Sequence, residues 1–268
     1  PEQPVITSPG SQDITEACTA LAGWNGTYDL ESTGAHLFRT FVDIYRTSFP
    51  DDLTTAFNPA DPVNTPADPS IVADKANDPM LQSLGAAVVI LADAGIALDS
   101  KLGEVQYYQP SGGVVPGDNL TDPMPLISEP IPWHGGDGNV DGAFNAIGVV
   151  DSVYAEDTRF PRISTPAYKR NPDEPDETRV AAGLSTNKGE GWLIARGTSW
   201  HFGLEFTDNG PEAYGLVSYG QSSDSRSKHF SDQSQMYSNK QYRQLFFSEQ
   251  DIEQNLLTNG EQVVKAEM

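Results

Sequence analysis

Residues 191 to 219 set the strongest limit on what this chain can become. Gly191-Trp-Leu-Ile-Ala-Arg196, Ser199-Trp-His-Phe-Gly-Leu-Glu-Phe206 and Glu212 to Tyr219 read as three strands. Gly197-Thr198 and Asp208-Asn209-Gly210-Pro211 supply turn chemistry between them. Strands joined so closely predict an antiparallel meander. The aromatics Trp192, Trp200, Phe202 and Phe206 share one parity along it, so the expectation is a sheet face packed on a core. His201 lies inside the alternation and reads as a structural residue.

The first half is helical. Asp13-Ile14-Thr15-Glu16 opens a short helix, with Asp13 as N-cap and Glu16 in the capping-box position, and Asn25-Gly26 stops it. A second helix is expected from Ser32, with Leu37, Phe38, Phe41, Val42, Ile44 and Tyr45 on one face and Pro50 just past its end. Asp78-Pro79 is an N-cap followed by Pro at the first helical position. The helix behind it carries a stripe of Leu81, Leu84, Val88 and Leu91 and ends at Gly95. Between these helices, residues 50 to 78 are rich in Pro and Asp and predict an irregular surface crossing. Residues 1 to 12 read as an exposed tail, 101 to 135 as loops and short strands, 149 to 154 as a strand and 169 to 178 as a mobile loop. Ser248-Glu-Gln-Asp251 opens a last short helix. The fold class is therefore α+β, with 13–268 as one portion of a domain after the tail.

Composition narrows the function. Net charge is −22 over 268 residues, which repels phosphate backbones and anionic membrane surfaces, so neither nucleic acid nor membrane is an expected partner. No run approaches the length of a membrane span. Pro1-Glu2-Gln3-Pro4 lacks the basic and apolar regions of a signal peptide, and the expectation is a chain that starts inside a longer protein or after processing. Its single cysteine, Cys18, excludes an internal disulfide and any Cys-rich zinc site. With apolar flanks in Ala17 and Ala20-Leu21, Cys18 is expected as a buried thiol, or as half of a disulfide whose partner lies outside these residues.

The polar stretch after the strands, Tyr219 to Gln233, holds the candidate site residues Gln221, Ser222, Ser227, His229, Asp232 and Gln233. Gly220-Gln221-Ser222-Ser223-Asp224 follows a strand as a nucleophile elbow would. The elbow's strained turn has no room for a side chain where Asp224 stands, so Ser222 is not expected to be a nucleophile. His229 and Asp232, three apart, could join Ser222 or Ser227 in a triad. The favoured reading is a loop stapled by its own side chains. Asp137-x-Asn139-x-Asp141-Gly142 is the first half of a calcium loop, but the bidentate Glu of the full pattern is replaced by Gly148. A tight glycine turn is expected there, and no metal. His36, His134 and His201 have no metal-ligand spacing.

Gly-Gln-Ser-x-x-x-x-Ser-x-His-[aromatic]-x-Asp-Gln across 220–233 resembles the closing signature of the penicillin-amidase-type acylases, and is most like their acyl-homoserine-lactone and aculeacin-type members. Ala-Cys-x-Ala-Leu-x-x-Trp at 17–24, Asp29-Leu-x-Ser-x-Gly-Ala-x-Leu-Phe38 and His134-Gly-Gly-Asp-Gly…Asn145-Ala-Ile repeat the likeness in the right order. The resemblance implies an αββα sandwich shared with upstream sequence. It also implies an N-terminal serine nucleophile, freed by self-cleavage and carried elsewhere, that cleaves the amides of N-acylated small molecules such as acyl-homoserine lactones, β-lactams or lipopeptides without a cofactor. The implied partners are the upstream part of a β chain and an α chain of the same precursor, in the periplasm or secreted. Pro1 cannot be that nucleophile, and neither Asn25 nor Asn145 has the context of an oxyanion asparagine. No catalytic residue is therefore expected in this chain, and its substrate-binding residues are unassigned. A reading from another class is an acidic, β-rich, secreted binding module without catalysis.

Overall fold

The structure is a computed structural model that describes residues 13–70, 72–108, 130–136, 145–147, 154–157, 160–166, 191–222, 224 and 226–256. The expected tail at 1–12, the half calcium loop with Asp137, Asn139 and Asp141, most of the strand at 149–154 and the loop at 169–178 lie outside these residues. The chain divides into two compact units, Pro1–Gln109 with Pro130–Gly197, and Pro110–Glu129 with Thr198–Met268. Both mix helices with mainly antiparallel sheet, and the class is α+β.

In the first unit, helix α1 spans Thr15–Gly23 and α2 spans Ala35–Ser48. Helix α1 begins after Ile14, so Asp13 is not its N-cap. Its carboxylate still accepts the Thr15 N–H at 2.9 Å. Cys18 is half-buried on this helix and not enclosed. Helix α2 starts later than Ser32 because Gly34, in the left-handed region, turns the chain into it. Its buried face includes Leu37, Phe41, Ile44 and Tyr45 as expected, and also His36, Arg39 and Thr40. The following crossing contains a small hairpin, β1 (Leu53–Thr55) against β2 (Ala67–Pro69).

Helix α3 spans Pro79–Ala94. Asp78 caps it, its carboxylate accepting the N–H groups of Met80 and Leu81 at 3.0 and 3.1 Å, and Gly95 ends it. Leu81 is only half-buried, and the burial is no stripe: it includes Gln82, Ser83, Ala86, Ala87, Val89 and Ile90. A helix apolar nearly all round is a central helix. Leu37, Ile44 and Leu91 are fully enclosed, and each such side chain contributes about 1.5–3 kcal/mol. The α2–α3 pair, which also approaches a later strand β7, thus anchors this unit more than its two- and three-residue strands do.

A short helix α4 (Leu102–Val105) leads into β3 (Gln106–Tyr108), followed by β4 (Ile131–Pro132), β5 (Asn145–Ile147), β6 (Tyr154–Asp157), β7 (Phe160–Pro166) and β8 (Trp192–Gly197). Strands β6 and β7 form a hairpin. The remaining strands form one sheet in the order β4-β3-β8-β5, with β8 parallel to β3 and antiparallel to β5.

This pairing corrects the expected meander. Strand β8 pairs with strands of the first unit, while β9 (Trp200–Thr207) and β10 (Gly210–Val217) make an antiparallel hairpin in the second. Helix α5 (Asp232–Ser238), β11 (Arg243–Leu245) and α6 (Glu249–Gln254) complete the second unit, with β11 antiparallel to β10. Ser248 caps α6 by accepting the Asp251 N–H at 3.0 Å, as its sequence predicts. The shared-parity aromatics therefore do not line one core. Trp192 is buried, whereas Trp200, Phe202 and Phe206 are exposed.

Candidate functional site

The segment leaving β10 is the candidate site, and its shape follows from one glycine. Gly220 has φ +86, and a Cβ there would lie 2.2 Å from the Phe230 carbonyl oxygen. Only glycine allows this close return of the loop onto itself. Gln221 N–H and Ser222 N–H both donate to the His229 carbonyl, at 2.9 and 3.2 Å. Between these ends the side chains staple the backbone. Ser222 Oγ accepts the Asp224 N–H at 3.1 Å, Asp224 Oδ1 accepts the Arg226 N–H at 2.9 Å, and Ser227 Oγ accepts the His229 N–H at 3.2 Å. The Arg226 guanidinium also bonds the Asp224 carboxylate at 2.8 and 2.9 Å and holds its pKa below the usual carboxylate value.

His229 Nδ1 lies 2.8 Å from Asp232 Oδ2, so the sequence-predicted pair does form, at a surface where both side chains are well exposed. Among the described residues, neither Ser222 nor Ser227 completes a triad. The hydroxyls of Ser222 and Ser227 bond the loop backbone, and neither is a hydrogen-bond partner of the His229 ring. A nucleophile needs its base within reach in a site that excludes water. This arrangement provides neither.

Buried polar contacts concentrate one turn further on. Gln233 is 2% exposed, and its Oε1 accepts the Val217 N–H of β10 at 2.8 Å. Ser234 Oγ donates to the Ser218 carbonyl at 2.7 Å, and Ser218 Oγ donates to the Thr198 carbonyl. His201 packs with Tyr237 and Tyr242, ring centroids 5.0 and 6.4 Å away, and burial lowers its pKa. The sequence marked Gln233 as one member of a motif. What it did not reveal is that Gln233 and Ser234 tie α5 to β10.

These differences in burial predict the ranking of substitutions. Gln233→Ala leaves the Val217 N–H without its acceptor and should cost about 1–3 kcal/mol. Replacing both His229 and Asp232 by Ala removes a solvent-screened pair that contributes about 0–1 kcal/mol. Urea midpoints of the two variants should therefore fall in that order, and the reverse order would overturn this account of the loop.

Elsewhere, the described residues contain no group of three His, Cys, Asp or Glu able to hold a metal ion. No helix among them is long and apolar enough to cross a membrane. In the first unit a buried polar cluster joins α2 to the sheet. Arg39 Nη1 donates to Gln106 Oε1 at 2.5 Å while its guanidinium lies 4.6 Å from the Trp192 ring centroid. Gln106 Nε2 donates to the carbonyls of Trp133 and Gly135, both at 2.8 Å. The apolar spacing of α2 gave no sign of this cluster, because Arg39 is buried through partners distant in sequence.

Known proteins resemble nearly the whole chain. The family model described as penicillin amidase matches residues 3–254. An acyl-homoserine lactone acylase PvdQ of Pseudomonas putida is 28% identical over 244 residues, covering 90% of this chain and 24% of the relative. A PvdQ acylase of Pseudomonas fluorescens is 28% identical over 92% of this chain and 25% of its own length. Aculeacin-A acylase of Actinoplanes utahensis is 29% identical over 93% of this chain and 24% of its own length. The chain thus spans about a quarter of the length of the curated relatives it matches.

Proposed function

The chain belongs to the penicillin amidase family, and we propose that it is the scaffold portion of an amidohydrolase that cleaves the amide bond of N-acylated small molecules. The carrying observation is the family match along nearly the whole chain, together with relatives named as acylases of acyl-homoserine lactones and of aculeacin A. The loop geometry agrees, since Ser222 and Ser227 are engaged by backbone and neither is a hydrogen-bond partner of the His229 ring.

On this reading, an N-terminal serine on another segment of the same precursor is exposed by self-cleavage. Its α-amino group acts as base. The hydroxyl oxygen attacks the amide carbonyl carbon, the C–N bond breaks, and the amine departs with a proton. Backbone N–H and Asn donors stabilise the oxyanion. Water then hydrolyses the ester, releasing a carboxylic acid and regenerating the serine. The contribution of this chain is to complete a layered αββα sandwich with the upstream β-chain strands and the α chain. Gln221, Ser222, Ser227, His229, Asp232 and Gln233 are its structural motif in that role. A periplasmic or secreted location, and a quorum-quenching role if the substrate is an acyl-homoserine lactone, belong to the same proposal.

The test is turnover. The full gene product should release fatty acid from N-acyl-homoserine lactones or related acyl amides, and residues 1–268 alone should release none. Ser222→Ala should leave turnover per assembled active site unchanged. Hydrolysis by residues 1–268 alone that Ser222→Ala abolishes would overturn the proposal.

A further inference from the structure

Strand β9 carries Trp200, Phe202, Leu204 and Phe206 on the face opposite His201, and they are 49%, 54%, 45% and 81% exposed. Their partners across the ladder are Val217, Gly215, Ala213 and Pro211 of β10. Leu245 of β11 extends the same row beside Ala213. Not one of these β9 and β10 positions bears a charge, in a chain whose net charge is −22. The acidic residues of the two strands, Glu205 and Glu212, oppose one another on the other face.

The rings are also arranged on a framework. Trp200 and Phe202 stack with centroids 6.1 Å apart and planes 18° apart. A Cβ added at Gly215 would come within 3.1 Å of the Trp200 ring, so the indole packs closely against that glycine. Taking about 150–250 Å² per large side chain, the exposed fractions leave about 500 Å² of apolar surface. That is at the upper end of what a monomer shows, about 300–600 Å², and more than half of what one partner gives to a standard interface, about 800 Å². Strand β9 is moreover the edge of its sheet among the described strands, and an apolar edge strand templates pairing with another chain.

We infer that the β9–β10 aromatic face is a docking surface for the upstream polypeptide of the same precursor, an inference that rests on the acylase reading above. Two observations select this occupant. The curated relatives have about three quarters of their length outside the portion this chain matches. A second copy of the chain is the poorer fit, because pairing two bodies of net charge −22 sets them in long-range repulsion. The occupant is accordingly an apolar segment, strand or helix, that covers Trp200, Phe202 and Phe206 and removes them from water.

The experiment uses the full gene product with p-benzoylphenylalanine incorporated at position 206 in one preparation and at position 205, on the opposite face, in another. After irradiation, cross-linked peptides are mapped by mass spectrometry on a mixture of isotopically light and heavy protein. Position 206 should give intramolecular adducts to peptides upstream of residue 1, and position 205 should not. In parallel, Phe202→Glu with Phe206→Glu should lower the yield of assembled protein about tenfold or more, while Glu205→Gln should leave it unchanged. Adducts confined to residues 1–268, adducts between light and heavy copies, or no adducts from position 206 would each overturn the inference. Amide hydrolysis assayed on the same preparations separates the two ideas. Hydrolysis without upstream adducts sinks the docking surface and leaves the acylase reading. Upstream adducts without hydrolysis of any acyl amide sink the acylase reading and leave the docking surface.

Discussion

Substituting Gly191 by alanine is expected to unfold or rearrange the first unit, at a cost of about 4 kcal/mol or more, near the top of the range for single substitutions. Gly191 precedes β8 at φ +91, where an L side chain is strained by about 1–3 kcal/mol before any contact is counted. A Cβ built there would also lie 2.0 Å from the Val105 carbonyl oxygen and 2.6 Å from the Val105 Cα. Those are backbone atoms at the entry to β3, so relief requires moving one strand. The strand pair that must part is the parallel β3–β8 ladder, in which Gln106 faces Trp192. Trp192 would then leave Arg39, and Gln106 would lose its alignment with Arg39 and with Trp133 and Gly135. Gly23→Ala supplies the contrast: no atom lies within 4 Å of the added Cβ, and alanine in a helix is favoured over glycine by about 0.5–1 kcal/mol. Thermal melting should show a large fall for the first variant and a small rise for the second. Equal, small changes in both would mean that β8 is not held against β3 as described.

The Gly191 contact also shows which parts of the fold were legible in sequence. Local chemistry was: Asp78 accepting two N–H groups, Pro79 at the first position and Gly95 in the left-handed region specify α3 at both ends within its own 16 residues and one beyond each end. The β9–β10 turn at Asp208-Asn209 is equally local, and so is the cap at Ser248. Strand β8 is different. Its composition specifies a strand, but its partner β3 lies far upstream, and no local turn encodes a parallel pairing. Reading the parity of Trp192, Trp200, Phe202 and Phe206 as one face assumed continuity across Gly197-Thr198, and the division between units falls at that bond. The candidate loop was half legible. Its serines, His229 and Asp232 gave themselves away by type and spacing, whereas the importance of Gly220 and Gln233 depends on burial, which only packing decides.

Acid should weaken the first unit through one histidine. His36 is fully buried on α2, and its Nε2 lies 2.8 Å from the Ala97 carbonyl. A carbonyl only accepts, so Nε2 carries a proton, and with its pKa pushed down to about 4 the ring is neutral near pH 7. Nδ1 is buried with no hydrogen-bond partner among the described residues. Protonating it would place a charge and an unpaired donor in the core. Burial, reinforced by nearby Arg39 and opposed by the Ala97 bond and by Asp99, pushes the His36 pKa down to about 4 from 6.5. The folded pKa is depressed, so the unfolded chain binds the proton more readily at intermediate pH. The contribution is fully present above about pH 6.5 and is lost as pH falls through 6.5 toward 4, amounting to about 3 kcal/mol at the lower end. Asp13 and Asp224, whose pKa values are lowered from 3.8 by their hydrogen bonds, lose their contributions only below that window, so the two effects separate along the pH axis. The check is a series of urea midpoints at pH 7, 5.5 and 4.5 for the parent chain and for His36→Gln, which keeps a side-chain donor for Ala97. The parent should lose stability across this series, and the difference between parent and variant should shrink or change sign as pH falls. A pH-independent difference, or native-state titration of the His36 ring near its ordinary value of 6.5 by NMR, would show that the imidazole is solvated and that this packing of α2 is wrong.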